Sequence, residues 1–230
     1  MPYDALIPAA GVGRRFGGAT PKQYWMLEGK PLLLHSIERL AAGLPLRQIY
    51  IAIAPGDGWF DEVIGARPGA TVLRCGGATR GETVRNALLA IAHSRDDDWL
   101  AVHDAVRPCV DRASLLRLQE ELADDETGGL LAMPLVGTLK RADGDGRRVA
   151  RTEDRDGLWV AQTPQMFRYR VLRDALAGPE VGHYTDEAQA VEALGRKPLL
   201  VTGSPANIKI TFAEDLPLAA AIMSAQRLAQ

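Results

Sequence analysis

Ala5-Leu-Ile-Pro-Ala-Ala-Gly-Val-Gly-Arg-Arg-Phe-Gly-Gly-Ala-Thr-Pro-Lys22 joins a short apolar run, 5–9, to a loop with glycines at 11, 13, 17 and 18 and cations at 14, 15 and 22. A strand that empties into such a loop is how an α/β sheet presents a ligand site at its carboxyl edge. Further along the chain, apolar runs at 49–54, 70–73, 99–103 and 130–134 alternate with helical spacing at 34–42, 80–92 and 114–123. Strands separated by helices predict a parallel α/β sheet. Thr79 with Glu82 forms a capping-box pattern ahead of one helix, and Thr211 with Glu214 repeats it ahead of the last.

The rhythm breaks at 135–162, where Lys140, Arg141, Arg147, Arg148, Arg151 and Arg155 surround the turn-like Asp143-Gly-Asp-Gly146. This segment reads as a projecting β-hairpin. A calcium loop needs further acidic positions and a terminal glutamate, which Asp143 and Asp145 lack.

A chain of 230 residues, 47% hydrophobic and 24% charged, is long enough for one sizeable core and short for two domains. The net charge of -2 offers no global positive field for nucleic acid or an anionic membrane, so an anionic ligand has to be held by a local cluster. Cys75 and Cys109 are too few for a disulfide framework or a four-ligand zinc site. With neither a basic, apolar leader nor a long apolar run, the expected compartment is the cytoplasm.

In the first loop, small residues let successive amides converge on phosphate oxygens, and Arg14, Arg15 and Lys22 supply charge that amides alone lack. Gly11 and Gly13 are also compatible with a plain strand-to-helix turn flanked by solvated arginines. Spacing removes two familiar motifs. A P-loop requires Gly-Lys followed by Ser or Thr, whereas Gly17 and Gly18 precede Ala19. The dinucleotide fingerprint places a small residue where Phe16 stands, and its acidic partner has no match, since Glu28 comes too early and Glu38 lies in a helix. A nicotinamide-dependent dehydrogenase is therefore the weaker competitor.

Taken together, Pro8-Ala-Ala-Gly-Val-Gly-Arg-Arg, Pro21-Lys-Gln-Tyr24, Val102-His-Asp-Ala-Val-Arg-Pro108, Thr138-Leu-Lys-Arg141, Asp154-Arg155, Thr163-Pro-Gln165, Thr185-Asp-Glu187 and Asn207-Ile-Lys-Ile-Thr211 resemble the 2-C-methyl-D-erythritol 4-phosphate cytidylyltransferase family. The matches occur in order over almost the whole chain. The resemblance implies transfer of CMP from CTP to methylerythritol phosphate, with magnesium assisting, in non-mevalonate isoprenoid synthesis. It also implies a Rossmann-like three-layer α/β/α fold with a mostly parallel sheet, and a homodimer in which the arm at 135–162 clasps the partner.

Residue by residue, the resemblance assigns Arg15 and Lys22 to stabilising charge at the α-phosphate, with Arg155 and Lys209 as further catalytic cations. The nucleotide falls to Pro8, Ala9, Ala10, Gly11, Gly13, Arg15 and Lys22, to Gly76, Gly77, Ala78, Arg80 and Thr83, and to Asp104 and Ala105. Asp104, Arg107, Thr138, Arg155, Thr163 and Lys209 are expected to hold the acceptor, Arg155 reaching in from the neighbouring subunit. Asp104 is also the candidate metal residue, and His103 is expected to be packed or hydrogen-bonded. Three departures stand out: Ala78 is less polar than in many relatives, Thr83 replaces serine, and Val106 replaces alanine. The acceptor phosphate is largely dianionic at neutral pH and needs no general base, which points to direct in-line displacement. Alternatives are a cytidylyltransferase for ribitol phosphate or another polyol phosphate, and a nucleotide-binding regulator without turnover.

Overall fold

The computed structural model describes residues 3–11, 20–66, 69–91 and 95–228. In chain order the elements are β1 (Tyr3–Pro8), β2 (Met26–Leu27), β3 (Lys30–Pro31), α1 (Leu32–Gly43), β4 (Leu46–Ala52), α2 (Trp59–Val63), β5 (Ala70–Leu73), α3 (Arg80–Ala90) and β6 (Trp99–Val102). There follow α4 (Arg112–Glu121), β7 (Gly129–Pro134), β8 (Leu139–Ala142), β9 (Val149–Glu153), β10 (Trp159–Arg168), α5 (Tyr169–Ala175), α6 (Glu187–Ala193), β11 (Leu199–Thr202) and α7 (Asp215–Leu228).

Seven strands form the central sheet in the order β11-β7-β10-β6-β1-β4-β5. β10 runs antiparallel to both of its neighbours, while the other pairs are parallel. Alternation along β1 sends Ala5 and Ile7 into one core and Leu6 into another. The first core is closed by Leu33, Ile37 and Leu40 of α1, Phe60 of α2, and Leu115 and Leu118 of α4. Val84 and Leu88 of α3, Leu172 of α5 and Val191 of α6 close the second on the opposite face. The result is the expected three-layer sandwich. A third cluster seats Ala219 and Met223 of α7 on Leu27, Leu32, Cys109 and Ile210.

Local chemistry explains several helix starts. Thr79 and Glu82 make both capping-box bonds at the head of α3. α4 begins two residues before the apolar spacing suggests, because the Asp111 carboxylate accepts from Ser114 N–H at 2.8 Å. The Thr211–Glu214 capping box does not form: α7 starts at Asp215, whose carboxylate accepts from the Thr211 and Phe212 amides at 2.7 and 2.8 Å. Asp215 sits where its side chain reaches both amides, so it displaces Glu214 from the role.

The segment at 135–162 divides. β8 and β9 pair as an antiparallel hairpin over the turn at 143–146, with Gly146 at φ 73 and its amide donating to Asp143 O at 3.0 Å. Its stalk closes through Leu135 N–H on Leu158 O, and from Trp159 onward the chain is β10, inside the central sheet. That strand escapes sequence reading because Gln162, Thr163 and Gln165 are buried polar residues in an apolar setting. No helix among the described residues is long and apolar enough to cross a membrane. Cys75 and Cys109 are free thiols.

Candidate active site

Four parallel strands end at one edge of the sheet, and the loops leaving them line an open cleft of about 760 Å3. Pro8 ends β1 and residues 9–11 follow it, Ala54 and Pro55 follow β4, residues 76–79 follow β5, and residues 104–106 follow β6. From β1 the chain winds outward through β4 and β5, then returns to place β6 on the other side. The cleft thus lies at the switch point where open α/β sheets bind ligands.

The glycine-rich loop is tied at its roots. Gln23 donates from Nε2 to Ala9 O at 2.8 Å, and Trp25 donates from Nε1 to Thr20 O at 3.1 Å. Between these anchors Lys22 begins a short 3-10 turn and lines the cleft. Gly13, Arg14 and Arg15 lie outside the described residues.

Across the cleft, the Gly76 amide donates to Ile53 O at 2.9 Å. The Thr83 hydroxyl accepts from Gly77 N–H at 3.1 Å and donates to Thr79 O at 2.9 Å. A serine hydroxyl would make the same bonds, so the change to Thr83 preserves the lock on the turn. Ala78 is exposed on the rim, and Val106 lines the cleft while packing on the α7 cluster.

A smaller pocket of about 140 Å3 adjoins the cleft, lined among others by Arg107, Thr163, Thr185 and Asp186. Arg80, Asp104 and Lys209 line both cavities. Asp104 is the hub of this junction. Its Oδ1 takes Arg80 Nε at 3.0 Å, and its Oδ2 takes Lys209 Nζ at 2.9 Å with Arg107 Nε at 3.5 Å. Burial alone would favour the neutral acid, but the Arg80, Lys209 and Arg107 cations hold the Asp104 carboxyl far below the usual carboxylate range. Burial also opposes the Arg80 charge, and Glu187 with Asp104 more than offsets it, keeping Arg80 a cation.

Beneath Asp104, the Thr163 hydroxyl accepts from the Asp104 amide at 3.0 Å and meets His103 Nδ1 at 3.0 Å. His103 Nε2 lies 3.1 Å from Arg107 O, which only an N–H can satisfy. Nδ1 is therefore the acceptor and Thr163 the donor. Burial lowers the His103 pKa to about 4, so this neutral tautomer persists at physiological pH. His103 is thus a hydrogen-bonded core residue, as its sequence position suggested.

Thr138 and Arg155 line neither cavity. Both are exposed at the base of the arm, where Arg155 donates to Val136 O of its own chain. Sequence reasoning gave no role to several residues that fix the pocket. Gln162 and Asn207 tie the loop bearing Lys209 to β10, Asn207 Nδ2 donating to Thr163 O at 2.8 Å. Arg107 Nη1 donates to Asn207 O at 2.7 Å. Both are buried amide side chains, Gln162 in β10 and Asn207 in the loop after β11, and buried amides demand partners.

Among the described residues no group of three or more His, Cys, Asp or Glu side chains converges as a metal cage. Asp104, the one described residue that would hold a magnesium ion, is already engaged by cations, so phosphate oxygens and water would have to supply the remaining ligands. The described residues suit an ion that arrives on a polyphosphate, not a resident one.

The family model of 2-C-methyl-D-erythritol 4-phosphate cytidylyltransferase matches residues 4–225. Curated proteins of that name from Dechloromonas aromatica and Chromobacterium violaceum are 49% and 50% identical to this chain. The first match covers 98% of this chain and 99% of the relative, the second 96% and 98%. A crystal structure of 4-diphosphocytidyl-2C-methyl-D-erythritol synthase superposes with a TM-score of 0.85 at 37% identity, covering 96% of this chain and 98% of that one.

Proposed function

The chain belongs to the 2-C-methyl-D-erythritol 4-phosphate cytidylyltransferase family, and on that premise we propose how its own residues carry the reaction. It is a nucleotidyltransferase that moves CMP from CTP to 2-C-methyl-D-erythritol 4-phosphate, a step of non-mevalonate isoprenoid synthesis. The products are 4-diphosphocytidyl-2-C-methyl-D-erythritol and pyrophosphate. One observation carries the assignment of roles: two cavities meet at a shared wall of Arg80, Asp104 and Lys209. A nucleotide in the larger and a polyol phosphate in the smaller would bring their phosphates together there.

In the larger cleft, Pro8 and Ala9 form the wall, and the amides of Ala10, Gly11 and Gly13, with Arg15 and Lys22, hold the triphosphate. Gly76, Gly77, Ala78, Arg80 and Thr83 read the cytidine, with Asp104 and Ala105 closing the site. Asp104, Arg107, Thr163 and Lys209 seat the acceptor in the smaller pocket. Thr138 and Arg155 complete that pocket from the arm of a second copy in a homodimer. Two features support this last role: both residues lie away from the pocket of their own chain, and Val136, Val149, Leu158 and Val160 leave apolar surface uncovered on and beside the arm. A cytoplasmic compartment suits both substrates.

The acceptor phosphate, with a second pKa of about 6, is already a nucleophilic dianion at neutral pH. The obstacle is bringing two polyanions into line. Arg80, Arg107 and Lys209 bring three cations to the junction against the carboxylates of Asp104, Asp186 and Glu187, so the incoming phosphate is met by these individual cations and not by a net positive field. Lys22 and Arg15 meet the charge that grows on the α-phosphate, where each well-placed donor contributes about 3–4 kcal/mol of barrier lowering. A magnesium ion held by Asp104 and the triphosphate would supply further charge neutralisation. Displacement is direct, with no covalent enzyme intermediate.

Pyrophosphate release tests this reading, comparing methylerythritol phosphate with ribitol 5-phosphate and CTP with UTP. Turnover is expected only for methylerythritol phosphate with CTP. Equal turnover of ribitol 5-phosphate would transfer the chain to the alternative acceptor, CTP binding without release would make it a regulator, and a radiolabelled cytidylyl-enzyme trapped from CTP alone would overturn direct displacement.

A further inference from the structure

Glu187 is a carboxylate with no direct access to either cavity. It is 1% exposed and lines neither one, yet its Oε1 accepts from Arg80 Nη1 at 2.6 Å. From its other edge the same guanidinium reaches Asp104, Nε to Oδ1, at 3.0 Å. Arg80 Nη2 is buried and has no hydrogen-bond partner among the described residues, so these two carboxylates are what orient the group.

The position of Glu187 is itself over-determined. Gln165 of β10 donates to the Asp186 carboxylate at 2.9 Å and accepts from the Ala188 amide at 2.8 Å, bracketing Glu187 on both sides. Asp186 also caps α6 through the Gln189 amide. The backbone that carries Glu187 is therefore clamped to the strand that carries Thr163.

From this arrangement we infer that Glu187 is a positioning residue for the transfer reaction, fixing Arg80 so that Arg80 holds the Asp104 carboxylate at the wall between the two cavities. A planar guanidinium gripped at two edges has one orientation, whereas one gripped only by Asp104 can pivot about that contact. Asp104 is shared with Lys209 and Arg107, so pivoting redistributes the cations that receive the acceptor phosphate. The inference rests on the function proposed above.

Steady-state kinetics on the intact protein tests it, with Glu187→Gln, which keeps the shape and removes the charge, and Glu187→Asp, which keeps the charge and withdraws it. Unmodified protein is assayed first, and absence of turnover there overturns the proposed function together with this inference. Each variant is expected to lower kcat/KM for the acceptor by at least about tenfold while melting cooperatively near the unmodified protein. In an Asp104→Asn background each is expected to add less than about a threefold further loss, since coupled residues are non-additive. With the unmodified protein active, a smaller single loss, multiplication of the losses in the Asp104→Asn background, or failure of both variants to fold leaves Glu187 a stability residue and overturns the inference.

Discussion

Replacing Gly76 by alanine drives a methyl group between the two loops that define the proposed nucleotide cleft. The new Cβ would lie 2.3 Å from Ala10 Cβ, 3.0 Å from Ile53 O and 3.1 Å from Ala54 Cα. Carbon atoms pack at about 3.5–4.0 Å, so the walls have to part by roughly 1.5 Å. Two of the three contacts are backbone and the third is an alanine methyl, leaving no flexible side-chain end to yield. Overpacking of this kind costs about 1–3 kcal/mol, and each kcal/mol lowers Tm by about 2–4 °C for a chain of this size. Activity suffers more, because a displacement near 1 Å between groups that hold reacting partners costs on the order of a hundredfold in rate. The assay is pyrophosphate release from CTP and methylerythritol phosphate, with calorimetric CTP titration and a melting curve alongside. Gly178→Ala serves as control, since nothing lies within 4 Å of its added Cβ. Adding Ala10→Gly to the Gly76 variant removes the shortest contact and should recover part of both losses. Unchanged Tm and turnover in Gly76→Ala would refute the packing argument, as would a double variant no better than the single.

Other expectations follow from the junction. His103 has a folded-state pKa of about 4, below its unfolded value of about 6.5, so the unfolded chain binds the extra proton between those values and stability falls on acidification; urea unfolding should lose roughly 3 kcal/mol more from pH 7 to 4 than in His103→Gln. Equal pH slopes would show that the imidazole is not held neutral. Lys209→Ala and Arg155→Ala should each be inactive alone. Mixed after reversible dissociation they should regain about a quarter of unmodified activity, since half the dimers would be hybrids with one intact site of two; no recovery would argue that the arm serves its own subunit. Chelation with EDTA should abolish turnover while leaving Tm unchanged, because the described residues form no metal cage; a Tm drop would reveal a resident ion.

Much of this architecture was legible in local pattern. Strands β1, β4, β5, β6 and β7 appear as apolar runs because both faces of the sheet are covered, and the Thr79–Glu82 pair marks the start of α3. β10 was hidden because its middle is a polar node: Gln162, Thr163 and Gln165 spend their side chains bracing neighbouring loops. Among site residues, Asp104, Lys209 and Lys22 could be matched by position with a role; Glu187 also falls in a matched motif, but nothing local tells that it is buried while Glu192 of the same helix is exposed. That distinction depends on Arg80, more than a hundred residues away in the chain. Thr138 and Arg155 could be matched by motif alone, since one chain does not contain the surroundings proposed for them.

β10 begins at the stalk of the arm and runs on between β6 and β7, carrying Thr163 under Asp104 on the way. The assembly and the chemistry proposed above therefore share one continuous length of backbone. An engineer who shaves off the arm to obtain a smaller catalyst would also slacken the beam on which the proposed acceptor pocket is built. Shortening this protein from the outside is, at that point, the same act as loosening it from within.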